Sequence, residues 1–158
     1  MKIVLGSEKN VEEFIKLRME LFKELGEIKE KDNIEELIWE TKQYYLQHIK
    51  KDLYCWFIEI EEKVVAVASM CTFCRIPYYE NPVGVEGYIL NVYTSLNSRK
   101  KGLATKLVKE IIEFSKNNSI KRLWLNSSEA GKNIYKTLGF IEKDNEMEYF
   151  IWFKKLCR

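Results

Sequence analysis

Tyr93-Thr94-Ser95-Leu96-Asn97-Ser98-Arg99-Lys100-Lys101-Gly102-Leu103-Ala104-Thr105 reads as a strand end, a basic turn and a helix start in immediate succession. A helix N-terminus presents backbone N–H groups without intrahelical partners at the positive end of its dipole. Small residues at Gly102 and Ala104 allow an anion to approach that backbone, and Arg99 adds charge. The dipole alone contributes about 0.3 to 1 kcal/mol, reaching ~2 when partly buried, so the basic turn is needed to hold a polyphosphate. A solvated basic turn with no ligand is the other reading of the same residues. The spacing lacks the Gly-x-x-x-x-Gly-Lys-Ser/Thr pattern, which argues against a nucleotide kinase loop.

Upstream, Tyr88 to Tyr93 reads as a strong strand, and downstream Leu103, Leu107, Ile111 and Ala104, Val108, Ile112 recur at i, i+4, which predicts a helix opening at Gly102. Leu123 to Leu125 reads as a short buried strand. A Ser127 or Ser128 cap, a helix carrying Ile134, Tyr135 and Leu138, a Gly139 stop and alternating Met147, Tyr149, Ile151 and Phe153 complete that side, the tail reading as a β-hairpin. On the N-terminal side, Val11 to Leu25 shows helical spacing between a candidate Asn10 cap and a Gly26 stop, and Ile34 to Ile49 carries a second stripe after Asn33. Leu53 to Ile60 and Val64 to Phe73 are β-branched and aromatic, separated by Glu61-Glu62-Lys63 as a hairpin. Pro77, Pro82 and Gly84 mark a loop. This order predicts an α/β (α+β) domain with a mixed sheet and helices on both faces.

The 158 residues fit one domain, 1–158, with 46% hydrophobic and 32% charged residues. A net charge of +2 supplies no general field for nucleic acid or an anionic membrane, so an anion site must be local. The first residues are too short an apolar run for a secretory signal and no window approaches a membrane span, so the cytoplasm is the expected location. Cys55, Cys71, Cys74 and Cys157 read as reduced thiols. Cys71-Thr72-Phe73-Cys74 has half-zinc-site spacing, but a second Cys-x-x-Cys is missing and the chain has a single His, so no metal is expected.

Arg99-Lys100-Lys101-Gly102-Leu103-Ala104, preceded by Tyr88 to Thr94 and followed by Ile134-Tyr135-Lys136-Thr137-Leu138-Gly139-Phe140, resembles three motifs of the GNAT superfamily of N-acetyltransferases, in that family's order. The match runs from about Gly87 to Phe140; Lys100 replaces a frequent Gly, Leu96 a frequent Pro, and Ser128 a frequent Asn. The resemblance implies a mixed, mostly antiparallel sheet splayed at its central strand, with acetyl-CoA as cosubstrate in the gap. It further implies that Arg99, Lys100, Lys101, Gly102, Leu103, Ala104 and Thr105 hold the pyrophosphate, that the backbone of Val92, Tyr93 and Thr94 pairs with pantetheine and polarises the thioester carbonyl, and that Ser128 borders the cofactor. A backbone donor in such a place is worth about 2.7 to 4 kcal/mol in a comparable acyl transfer.

Tyr135 matches the family's tyrosine that protonates the departing thiolate; a phenol near pKa 10 giving its proton to a thiolate near 8.5 is uphill by ~2 kcal/mol. The same tyrosine on the stripe with Ile134 and Leu138 could be simple core. An alkyl ammonium acceptor near pKa ~10.4 must lose a proton, at roughly 4.6 kcal/mol at pH 7. Glu86 is the best-placed carboxylate for that base, against its reading as a solvated strand-entry charge, and His48 ranks below it. Tyr44, Tyr45, Tyr78 and Tyr79 could line an acceptor pocket. The expected function is direct transfer of acetyl to a primary amine of a small molecule or protein, with no nucleic acid or membrane partner. The alternatives are a CoA-binding module without turnover and a thiol redox protein using Cys71 and Cys74. The aromatic segment Tyr149 to Phe153 could pair a homodimer or finish the sheet.

Overall fold

A computed structural model describes residues 1–143 and 146–149. Its strands are β1 (Lys2–Leu5), β2 (Leu53–Ile60), β3 (Lys63–Cys74), β4 (Val85–Thr94) and β5 (Arg122–Leu125); its helices are α1 (Val11–Leu25), α2 (Glu35–His48), α3 (Leu103–Asn117) and α4 (Lys132–Thr137). The sheet runs in sequence order, antiparallel from β1 to β4 and parallel between β4 and β5. The change of direction follows from chain connectivity: short turns return an antiparallel strand, whereas the α3 crossover delivers β5 parallel. This is the expected mixed, mostly antiparallel α/β sheet.

Period-two alternation divides the core into two layers. On β2, Leu53, Cys55 and Phe57 join the face covered by α1 and α2, where Phe14, Leu17 and Tyr45 meet them. Trp56 and Ile58 join the opposite face, covered by Leu103, Leu107, Val108 and Ile111 of α3. Gly87 lies where that second layer is tightest: a Cβ there would stand 2.5 Å from Met70 Sδ and 2.8 Å from a Leu123 methyl.

Most local signals act as read. Gly26 ends α1 in the left-handed region at φ 75°, and Asn33 Oδ1 accepts from the Glu35 N–H at 3.0 Å at the start of α2. The N-terminal strand β1 was not legible, because four residues carry no period of their own and become a strand only by pairing with Trp56 to Glu59. The helix α4 starts later than a Ser127 or Ser128 cap would place it. The Ser128 carbonyl instead closes a turn, accepting from Gly131 and Lys132 at 3.0 and 3.2 Å. Met147 and Tyr149, expected on a terminal strand, are described outside any strand, and Ile151, Phe153 and Cys157 lie outside the described residues.

The β2–β3 hairpin turns on two residues, since Ile60 pairs with Lys63. Glu61 and Glu62 both take positive φ, 50° and 62°, the demand of a turn that normally selects Asn-Gly. A left-handed L-residue costs roughly 1 to 2 kcal/mol. Glu62→Gly is therefore expected to stabilise the fold by about 1 kcal/mol, raising the thermal midpoint by roughly 2 to 4 °C. A calorimetric scan of both proteins measures it; an unchanged or lower midpoint would refute the turn argument.

Candidate functional site

The strand β5 pairs with β4 only from Glu86 to Ile89. Beyond Ile89, β4 continues to Thr94 with no described strand on that edge, so its backbone faces an opening between the two strands. The opening coincides with an irregularity on the other edge, where the register with β3 shifts between Val67 and Ser69. Asn91 provides the bulge, at φ 54°. Asn91 Nδ2 and Thr94 Oγ1 are buried without hydrogen-bond partners among the described residues. Orphaned polar groups lining an open strand edge are costly unless a ligand satisfies them.

Thr94 leads through a short 3-10 turn at Leu96–Ser98 into the basic turn. Lys100 and Gly102 hold positive φ, 61° and 68°, which folds the backbone into a concavity directly before α3. The first helical hydrogen bond runs from the Lys106 N–H to the Gly102 carbonyl, 3.1 Å, so Leu103, Ala104 and Thr105 keep N–H groups without intrahelical partners. A Cβ at Gly102 would meet nothing within 4 Å; the space above this backbone is open. Lys100 and Lys101 are exposed beside it.

Arg99, expected to add charge to the turn, is engaged with neighbouring groups of this chain. Its Nη2 donates to Glu24 Oε2 at 2.5 Å and its Nε to the Thr94 carbonyl at 2.9 Å, with the guanidinium 5.5 Å from the Tyr93 ring centroid. The Arg99 hydrogen bond holds the Glu24 carboxyl below its ordinary value. Arg99 thus fastens the end of β4 to the end of α1, while Lys100 and Lys101 remain exposed in the turn.

Glu86 is fully buried, which corrects its reading as a solvated charge. Tyr78 donates to Oε1 at 2.8 Å, Arg122 to Oε2 at 3.0 Å, and Arg75 to both oxygens at 3.4 and 3.5 Å. Burial works to raise its pKa, but the Tyr78 hydroxyl and the two guanidinium groups outweigh it and hold the carboxyl below its ordinary value. A carboxylate so supplied with donors is a poor proton acceptor, and its function is to anchor the 75–84 loop to β4 and β5. Glu86→Leu leaves two arginines without their partner, and, because both are half exposed and rehydrate, is expected to cost about 2 to 3 kcal/mol in urea unfolding. The folded pKa is lowered, so this stability is present above the unfolded value of 4.5 and lost as pH falls through the folded value. The difference between the two proteins should shrink in acid; a constant difference from pH 7 to pH 2 would refute the assignment.

Tyr135 sits on α4 against the α3 layer, edge-on to Phe140 with ring centroids 5.8 Å apart. Burial pushes its pKa up to about 12, keeping the phenol protonated. It lines a cavity of about 590 Å³ with Leu125, Asn126 and Ser127. That cavity lies beside β5 and α4, apart from the Gly102 concavity. Ser128 is exposed in the β5–α4 loop.

The other expected site residues are not brought together. His48 Nδ1 is 2.7 Å from Asp52 Oδ1, and its ring stacks on Tyr44 at 4.2 Å. Tyr45 is core, donating to the Ser7 carbonyl at 2.8 Å, and Tyr79 is 96% exposed. Cys71 and Cys74 lie three residues apart on β3, so their side chains leave opposite faces of the sheet and cannot act as a pair within that strand. Sequence reasoning missed Arg18 of α1, whose Nη1 lies 3.5 Å from Asn91 Oδ1; an Arg among apolar helix positions was the signal available. No cluster of three metal-ligating side chains occurs among the described residues, and no described helix is long and apolar enough to cross a membrane.

Residues 13–140 match the model of the family described as Acetyltransferase (GNAT) family. No curated protein matches the chain with significance. Among solved structures, a predicted acetyltransferase with acetyl-CoA from Clostridium acetobutylicum is 25% identical, with a TM-score of 0.85 over 94% of this chain and 95% of that one. A GCN5-related N-acetyltransferase from Ralstonia eutropha JMP134 is 19% identical, with a TM-score of 0.84 over 95% and 97%. Glucosamine-6-phosphate N-acetyltransferase from Arabidopsis thaliana is 20% identical, with a TM-score of 0.72 over 94% and 97%. The last two are similar in fold.

Proposed function

Since the chain belongs to the acetyltransferase (GNAT) family, we propose that it binds acetyl-CoA in the opening beside β4 and transfers the acetyl group directly to a primary amine of a small molecule or protein. The observation that carries this reading is the open edge of β4 from the Asn91 bulge to Thr94, running without interruption into the N-terminus of α3. Acetyl-CoA, when bound, supplies an activated thioester; the remaining chemistry belongs to this chain's own residues.

In this reading the N–H groups of Leu103, Ala104 and Thr105, with Lys100 and Lys101, hold the pyrophosphate at the Gly102 concavity. Those backbone groups of Val92, Tyr93 and Thr94 that face the opening orient the acyl chain and its carbonyl. As the nitrogen of the neutral amine bonds to the acyl carbon and the C–S bond breaks, the amine gives one proton to water, the sulfur takes one from a donor of this chain, and water returns a proton to that donor. Tyr135, held protonated by burial, is the donor to sulfur. A phenol near 12 is a weaker acid than the ordinary tyrosine considered above, and against a thiol of about 8.5 the transfer would be uphill by roughly 5 kcal/mol. Burial shifts thiols in the same direction, however: it raises buried Cys55 of this protein to about 12. A sulfur desolvated beside Tyr135 is matched to it.

Glu86 is not the base, because its lone pairs are already engaged. That engagement is also what favours the second reading, a CoA-binding module without turnover. Titration calorimetry with acetyl-CoA, after copurified CoA has been removed, followed by thiol release across an amine panel, separates the two. Acetyl-CoA binding with amine-dependent thiol release is the expected result. Binding without release for every amine supports the second reading, and absence of binding overturns both.

A further inference from the structure

Arg18 projects from the middle of α1 toward the head of the opening, where Asn91 bulges from β4. Its only hydrogen bond among the described residues is the 3.5 Å contact to Asn91 Oδ1. One face of the guanidinium lies 4.4 Å from the Phe22 ring centroid, which leaves the donor edge unfilled. Burial depresses its pKa, and among the described residues Glu27 is the one carboxylate whose field reaches it, from beyond ion-pair range. The neighbouring Cys55 and Cys71 thiols are both pushed up by burial, so they are neutral at pH 7 and do not compensate it.

A largely buried cation without a counter-charge is an expensive feature for a fold to keep. Two further groups on the same face of the sheet want an acceptor. Asn91, 5% exposed, leaves Nδ2 without a partner among the described residues, and since its Oδ1 is the atom facing Arg18, Nδ2 shares that end of the side chain. Trp124 Nε1 is also buried and unpartnered among the described residues. Trp124 pairs with Tyr88 across β4 and β5, three residues from Asn91 and roughly 10 Å along the strand. The Arg18 guanidinium, Asn91 Nδ2 and Trp124 Nε1 can only donate, so the missing occupant is an acceptor of hydrogen bonds, and Arg18 makes it an anion.

We propose that Arg18 and Asn91 Nδ2 bind an anionic group of the acceptor, so that the amine acetylated by this protein carries a carboxylate or a phosphate. The proposal rests on the acetyltransferase reading above and narrows its substrate class. Arg18 is a binding residue in it: the anion fixes the acceptor while the amine reaches the open edge of β4.

The test is calorimetric titration of the CoA-saturated protein with two matched pairs, O-phosphoethanolamine against ethanolamine and leucine against leucinamide. The pairs distinguish phosphate from carboxylate. At least one anionic member should bind on the order of 10- to 100-fold more tightly than its neutral partner, and Arg18→Met should erase that preference while still saturating with CoA. The same variant, relieved of an uncompensated buried charge, should unfold roughly 2 to 4 °C higher. Equal binding within each pair, or an unchanged preference in Arg18→Met, would overturn the proposal. So would a lower unfolding temperature, which would make Arg18 a structural cation. Failure of CoA to saturate the wild-type protein would instead strike the acetyltransferase reading itself.

Discussion

Gly102→Glu is expected to weaken acetyl-CoA binding by at least about 100-fold, because it removes access to several charge-assisted hydrogen bonds worth about 1.5 to 3 kcal/mol each. The position combines two properties: φ of 68°, and open space where a side chain would stand. A glutamate there fills the concavity and sets a carboxylate against the incoming phosphates. The fold should survive, since the strain is roughly 1 to 2 kcal/mol and a carboxylate at a helix N-terminus is favourable to the helix. Gly102→Ala is the control, carrying the strain without the charge or reach, and should retain most of the affinity. Arg99→Ala would be less informative, because it breaks the contacts of Arg99 with Glu24 and the Thr94 carbonyl and so loosens the end of β4. Calorimetric titration of the folded Gly102→Glu protein with undiminished affinity would show that the turn is not the pyrophosphate site.

Tyr135→Phe should reduce kcat by about 100-fold, the lower range for a lost general acid, while acetyl-CoA affinity changes by less than about 3-fold. The separation follows from position: Tyr135 lies on α4, away from the Lys100 to Thr105 turn, so removing its oxygen leaves the proposed phosphate contacts in place. The substitution also frees a buried hydroxyl, so stability should be unchanged or slightly raised. Single-turnover thiol release measures the chemical step without interference from product dissociation. A rate within a factor of two or three of wild type would return Tyr135 to the core, where its packing on Phe140 already places it.

Legibility in the sequence tracked how local each physical cause is. Gly26, Asn33 and the i, i+4 rows of α3 announce themselves within a few residues, because caps and helical faces are decided by neighbours along the chain. The strand-turn-helix geometry proposed to bind an anion was legible for the same reason: strand end, basic residues, Gly102 and helix start are contiguous. Glu86 was misread because its environment is assembled from Arg75, Tyr78 and Arg122, none of which shares its local pattern. The ion pair of Arg99 was not legible, because Glu24, its partner, lies 75 positions away.

By itself the sequence determined the order of the elements from α1 to β5 and the turn between β4 and α3, since periodicity, capping and steric freedom act over one or two turns of chain. The tertiary structure alone decided which charges are spent and which are available. Contacts between distant segments paired Arg99 with Glu24 and Glu86 with Arg122, and left Arg18 uncompensated among the described residues beside the Asn91 bulge. An ion pair depends on distance in space and on the water removed around it, and neither quantity is written in the order of residues.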